Sequence, residues 1–161
     1  MQNAVIIFIH LSGAALAIGA CAFGLLLWPR LFPPDRDGAP PEQAPAYLVM
    51  DRLAPTVFVG LLVLVFSGIY FMMENYTDQV NLPDGYYTVL GIKLLFVVAA
   101  FFLSAYQTFL LKPEIAHLDL QPERRERVPA VLNRMHRVGQ VLLGSLAGAL
   151  FMGVYLARYG G

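Results

Sequence analysis

AVIIFIHLSGAALAIGACAFGLLLW, residues 4–28, decides how the chain must be read. Apart from the thiol of Cys21, its one ionisable side chain is His10, and about 20 apolar residues in α-helical form already cross the hydrocarbon core of a bilayer. Three more apolar runs follow at 53–73, 89–111 and 138–157. With their flanks they set spans at about 4–28, 50–74, 88–111 and 136–158. Water is absent at that depth, so each segment must satisfy its own backbone amides, and helices are the form that does so. The expected fold class is therefore all-α: an antiparallel four-helix transmembrane bundle, with residues 1–161 forming a single integral membrane domain.

Composition agrees with that solvent. The chain has 161 residues, 58% of them hydrophobic and only 14% charged, against about a quarter charged in a soluble domain. The spans use more than half of the residues, which leaves no room for a separate soluble domain. Lys and Arg balance Asp and Glu at 11 each, and the basic residues do not form the stripe of a groove-binder, so no nucleic-acid partner is expected. A lone cysteine inside the first span excludes a disulfide framework and any CxxC motif. The first run lacks a basic leader and is too long for a signal-peptide core, so it reads as a retained span.

Charge in the connections predicts orientation. The 74–88 loop carries Glu74, Asp78 and Asp84 with no Lys or Arg. By contrast, 112–137 carries Lys112, Arg124, Arg125, Arg127, Arg134 and Arg137, and 29–52 adds Arg30, Arg36 and Arg52. The positive-inside rule puts both basic loops in the cytoplasm of a bacterial inner (plasma) membrane, with the termini outside. Tyr76, Tyr86, Tyr87, Tyr155 and Tyr159 then form an outer aromatic belt. Five prolines from Phe32 through Pro45 make that stretch an irregular connector. Gln121-Pro122-Glu123 reads as the start of a cytoplasmic helix that runs into the fourth span.

Helices in lipid associate through small residues and polar contacts. Steps of three and four residues pick out one seam per span. These are His10, Ala14, Ala17, Cys21, Gly24 and Trp28; Thr56, Gly60, Val63, Ser67, Tyr70 and Glu74; Lys93, Val97, Ala100, Ser104 and Gln107; and Gln140, Gly144, Ala147, Phe151 and Tyr155. Gly144-xxx-Gly148 is the expected tight crossing, serving the bundle or a homodimer.

On these seams His10 and Lys93 both point inward. They lie about 9 Å and about 6 Å below the outer ends of their spans, and Tyr70 and Glu74 arrive at the same depth from below. This outer cluster, with Met72, Met73 and Tyr155 close by, is the candidate ligand site. A lysine ammonium near hydrocarbon is costly unless paired or hydrated, so a Lys93–Glu74 or Lys93–Tyr70 contact is one expectation. A pocket for haem, a metal or another small ligand is the other. A cytoplasmic cluster of Arg30, Asp51, Arg52, Gln107, Arg134, His136 and Arg137 suits lipid headgroups or an anionic substrate such as a carboxylate-bearing porphyrin. His117 reads as a solvated loop residue.

Three histidines exist, at 10, 117 and 136. His136 precedes the outer end of span four by about 30 Å, which rules out a bis-histidine haem shared with His10 in one monomer. His10 with Met72 or Met73 remains, either as a haem b axial pair or as a soft copper site. No side chain stands out as catalytic.

Several strings resemble known families. His10-Leu-Ser-Gly13 through Leu27-Trp28-Pro29-Arg30-Leu31-Phe32 resembles the first span of HemJ-type protoporphyrinogen oxidases. Gly91-Ile-Lys93-Leu-Leu is similar to the opening of that family's third span and to the matching string of CopD-type copper-resistance proteins. Met50-Asp-Arg52 followed by Gly68 resembles the second span of both. Where HemJ has a Tyr-His pair, this chain has Tyr106-Gln107. Leu111 to Leu118 and Leu132 to Gly139 resemble the uncharacterised transmembrane-205-like proteins. The HemJ resemblance implies functional roles for His10, Arg30 and Lys93, and a porphyrinogen-type oxidoreductase that hands electrons to quinone. The CopD resemblance implies copper or small-solute transport. A structural or assembly subunit is the remaining class.

Overall fold

The structure is a computed structural model and describes residues 2–31, 45–75, 85–119 and 126–159. The helices are α1 (Gln2–Leu31), α2 (Pro45–Asn75), α3 (Tyr86–Tyr106), α4 (Lys112–Asp119) and α5 (Val128–Tyr159). A single π-helical turn, Gln107–Leu111, welds α3 to α4. Among the described residues there are no strands. Four segments are long and apolar enough to cross a bilayer: Ala4–Leu31, Val49–Glu74, Tyr86–Leu118 and Val128–Ala157. The chain is a multi-pass membrane protein of the expected all-α class. The fourth segment starts at Val128 rather than near 136, and Pro122 and most of the Pro-rich connector lie outside the described residues.

Facing residues show how the helices run. From Gly13 to Gly24 along α1, the atoms met on α2 step back from Val63 to Leu53. The same reversal holds between α3 and α5, where Lys93 meets Gly153 and Phe96 meets Gly148, while Gln107 meets Met135. Neighbouring helices are thus antiparallel. α1 packs chiefly on α2, and α3 on α5.

Small residues set the closest approach. Ala17 is fully buried, and a β-carbon placed on Gly60 would fall 2.9 Å from its amide nitrogen, so the two backbones touch there. Large side chains fill the space opposite. Leu61 from α2 and Leu142 and Leu146 from α5 pack into a cluster with Ala17, Cys21 and Ala100. This arrangement corrects the seam expected for the fourth span. Gln140, Gly144, Ala147, Phe151 and Tyr155 are all exposed, and the buried face of α5 runs instead through Leu142, Ser145, Leu146, Ala149 and Leu156. Two helices that already present alanines need bulk from their neighbours, not further small residues. Gly144-xxx-Gly148 is not the tight crossing either: a β-carbon placed on Gly148 would stand 3.2 Å from the ring of Phe96, a side chain and not a backbone, while Gly144 faces open space.

At the far end of α3 the π-helical turn closes with the Lys112 amide donating to the Gln107 carbonyl. Such turns add a residue to a helix and re-aim its side chains. Here Gln107 and Leu111 are both buried. The Gln107 amide donates to the Met135 carbonyl at 2.9 Å, and Thr108 Oγ1 donates to the Ala54 carbonyl at 3.3 Å. Lys112 pairs with Asp51 at 2.6 Å. One polar turn thereby ties α3 to α2 and α5.

Candidate functional site

Depth along the helices brings two intramembrane polar residues to one level. Thr108 bonds Ala54 and Phe58 packs on Phe101 with ring centroids 5.6 Å apart. Counting back from those contacts, Ser67 comes level with residues of about 92–95 on α3. Ser67 in turn meets His10, with Nδ1 2.9 Å from Oγ. His10, Ser67 and Lys93 therefore share a height, one from each of α1, α2 and α3. Lys93 lies on the buried stripe of α3 with Val97, Ala100 and Ser104, and its ammonium is 3.5 Å from where a β-carbon of Gly153 would stand.

The hydroxyl between the helices fixes the imidazole's proton. Ser67 Oγ stands 2.6 Å from the Val63 carbonyl oxygen and 3.2 Å from that of Leu64. Two oxygens at 2.6 Å require a hydrogen between them, and serine has one to give. Ser67 therefore donates to Val63 and accepts from His10, which places the neutral ring's proton on Nδ1. Nε2 is left with a lone pair at the other side of the ring. The carbon between the two nitrogens, Cε1, lies 3.3 Å from the β-carbon position of Gly68, so glycine there makes room for the ring.

The remaining members of the expected outer cluster are spread out. Tyr70 is 51% exposed and Met73 70% exposed; Glu74 is exposed and Met72 half-buried. A strict alternation of three and four steps lags a straight helix by about 20° per heptad, and this drift carries the last turn of α2 out of the interior. Among the described residues Lys93 has no ion pair with Glu74, no hydrogen bond with Tyr70 and no other such partner. Nor do three His, Cys, Asp or Glu side chains come together there as a metal cage.

At the opposite end the basic cluster divides. Arg30, Arg52, Arg134 and Arg137 are exposed, Asp51 is engaged by Lys112, and Gln107 is buried. His136 stacks on Trp28, ring centroids 5.0 Å apart, beside a cavity of about 60 Å³ that Cys21 also lines. Trp28 is eighteen residues beyond His10 on α1, about 27 Å along the axis, so the two histidines sit at opposite ends of the bundle. Sequence reasoning placed Ser67 on the seam without seeing that it sets the tautomer of His10. The spacing Gly13-xxx-Ala17 was the available sign that α1 and α2 approach closely enough for that bond.

No protein-family model, curated protein or solved structure matches the chain.

Proposed function

We propose that this membrane protein holds a carboxylate-bearing tetrapyrrole of the haem b type at the His10 level, with His10 offering Nε2 to the iron and Lys93 facing a propionate. The observation that carries the proposal is the pairing of a lone pair fixed by Ser67 with an ammonium that has no carboxylate partner among the described residues. An uncompensated ammonium inside a bundle is costly, and an anionic ligand removes that cost. Haem would supply redox chemistry at its iron. The chain's own share is to orient the imidazole through Ser67, to neutralise an anion through Lys93 and to exclude water with the apolar walls above and below. The HemJ-like strings add a redox role towards porphyrinogens, within the HemJ/CopD-like group. Copper, the alternative ligand, finds fewer donors near His10, because Met73 turns outward. The basic connections support an inner-membrane setting with both termini outside.

The test is haem titration of the detergent-purified protein followed at the Soret band. Wild type is expected to saturate at one equivalent. His10→Ala should abolish the shifted band, and Lys93→Met should weaken binding by about tenfold, the effect of losing roughly 1.4 kcal/mol. A spectrum of His10→Ala identical to wild type, or no saturable band in wild type, overturns the proposal.

A further inference from the structure

The exposed arginines at the basic end of the bundle differ in what stands beyond them. Arg30, Arg52, Arg134 and Arg137 have no ion pair among the described residues, where Lys112 holds Asp51. On α2 the polar side chain one turn beyond Arg52 is Thr56, and its hydroxyl returns to the Arg52 carbonyl at 2.7 Å. On α5 the polar side chain one turn beyond Arg137 is Gln140, which is exposed and stands within the apolar run that begins at Val138. Its amide nitrogen lies 3.2 Å from Nε2 of His136. That bond uses one N–H and leaves the second, and the amide oxygen, without a partner among the described residues.

These side chains share one face. Arg134, Arg137, Gln140 and Gly144 recur at steps of three and four and are all exposed, so a molecule lying along α5 meets them in that order. Helical side chains lean towards the helix N-terminus, which carries both guanidiniums away from the apolar run and towards the headgroups. Gln140 stands about 4.5 Å past Arg137 along the axis, and Gly144 about 10 Å. The headgroup layer on each side of a bilayer is about 5–7 Å deep. Guanidiniums level with phosphates therefore set Gln140 at the edge of the hydrocarbon, where lipid ester carbonyls lie, and Gly144 among the acyl chains. Hydrocarbon offers an amide N–H no acceptor; an ester carbonyl does. A β-carbon on Gly144 would meet nothing within 4 Å, which leaves a shallow notch for an acyl chain beside Val141 and Phe151, both exposed.

We propose that this face of α5 binds an anionic phospholipid, its phosphate held by Arg134 and Arg137, an ester carbonyl accepting from the free N–H of Gln140, and an acyl chain over Gly144. Guanidinium forks match phosphate oxygens, and two unpaired positive charges select a headgroup of net negative charge over a zwitterionic one. The inference stands apart from the haem reading, because it uses the lipid-facing side of α5 at the end of the bundle away from His10 and Lys93.

The experiment is native mass spectrometry of the full chain in detergent, titrated with equal amounts of phosphatidylglycerol and phosphatidylcholine of matched acyl chains. Wild type is expected to retain one phosphatidylglycerol with a preference of about twenty-five-fold, about fivefold for each guanidinium. Arg134→Gln with Arg137→Gln should bring the two lipids to parity. Arg30→Gln with Arg52→Gln removes the same charge from the same end and should keep most of the preference. Glycerol phosphate, the headgroup without its chains, should not displace the lipid. Equal retention of both lipids by wild type overturns the proposal, as does an equal loss in the two double variants, which would mean that net charge alone attracts the lipid. Displacement by glycerol phosphate would reduce the site to a phosphate site, and a lipid-free dimer mass would give this face to a second copy of the chain; either result also overturns it. If the α5 double variant does not fold, the wild-type preference and the glycerol phosphate competition decide the matter, and none of these outcomes depends on a Soret band.

Discussion

Gly60→Ala tests the contact on which the α1–α2 seam depends. The added methyl would stand 2.9 Å from Ala17 N and 3.2 Å from both its Cα and Cβ. Two of those three atoms are backbone, so no side-chain rotation relieves the clash. Reaching an ordinary separation of about 3.4 Å means parting the helices by about 0.5 Å. Overpacking of this kind costs about 1–3 kcal/mol. Gly→Ala in a helix also brings a favourable propensity of up to about 1 kcal/mol, which hides part of the loss. Gly144→Ala provides the correction, because Gly144 has nothing within 4 Å of its β-carbon position and so carries the propensity change alone. The two variants should differ by about 1–3 kcal/mol, or about 2–12 °C in the midpoint of thermal unfolding followed by circular dichroism in detergent. The same parting reaches the His10–Ser67 bond, seven residues further along α2 and about 10 Å away. Stretched from 2.9 Å to about 3.4 Å, that bond leaves the favourable range, and haem affinity should fall with it. Equal midpoints for Gly60→Ala and Gly144→Ala would refute the argument that backbone contact at Ala17 sets the helix spacing.

Two further expectations concern the other end of the molecule. Gln107→Leu removes the donor to the Met135 carbonyl and should destabilise the protein by about 0.5–1.5 kcal/mol in denaturant titrations, towards the lower figure because transmembrane hydrogen bonds average about 0.6 kcal/mol; a loss above about 3 kcal/mol would show that the π-helical turn itself has collapsed. Lys112→Met breaks the pair with Asp51, whose side chains are 32% and 56% exposed. At that exposure the cost should stay below about 1 kcal/mol and shrink as salt is added, and a salt-independent loss would contradict the assignment.

How much of this was legible beforehand varied helix by helix. The spans were legible because their apolar runs have no other stable form in lipid. The α1 and α3 seams were legible too: Ala17, Cys21, Val97, Ala100, Ser104 and Gln107 are all buried, since in those helices small and polar residues fall on one stripe. In α5 the same rule selected the exposed stripe through Gln140 and Gly144. Which face turns inward there depends on the volume its neighbours leave, a property of the assembled bundle and not of one helix. Tyr70 and Glu74 left the interior through a drift that accumulates only over several turns. His10 and Lys93 were legible as inward residues, but the hydrogen bond that orients the imidazole depends on Ser67, which bonds first to its own helix.

The division of contact, α1 with α2 and α3 with α5, bears on how the chain enters its membrane. Each half has its principal seam within itself, so the α1–α2 seam can close before the second half has been synthesised. A translocation machine that releases spans two at a time therefore delivers stable units, and their docking, through Cys21 against Gly139 and Thr108 against Ala54, is left to diffusion in the plane of the bilayer.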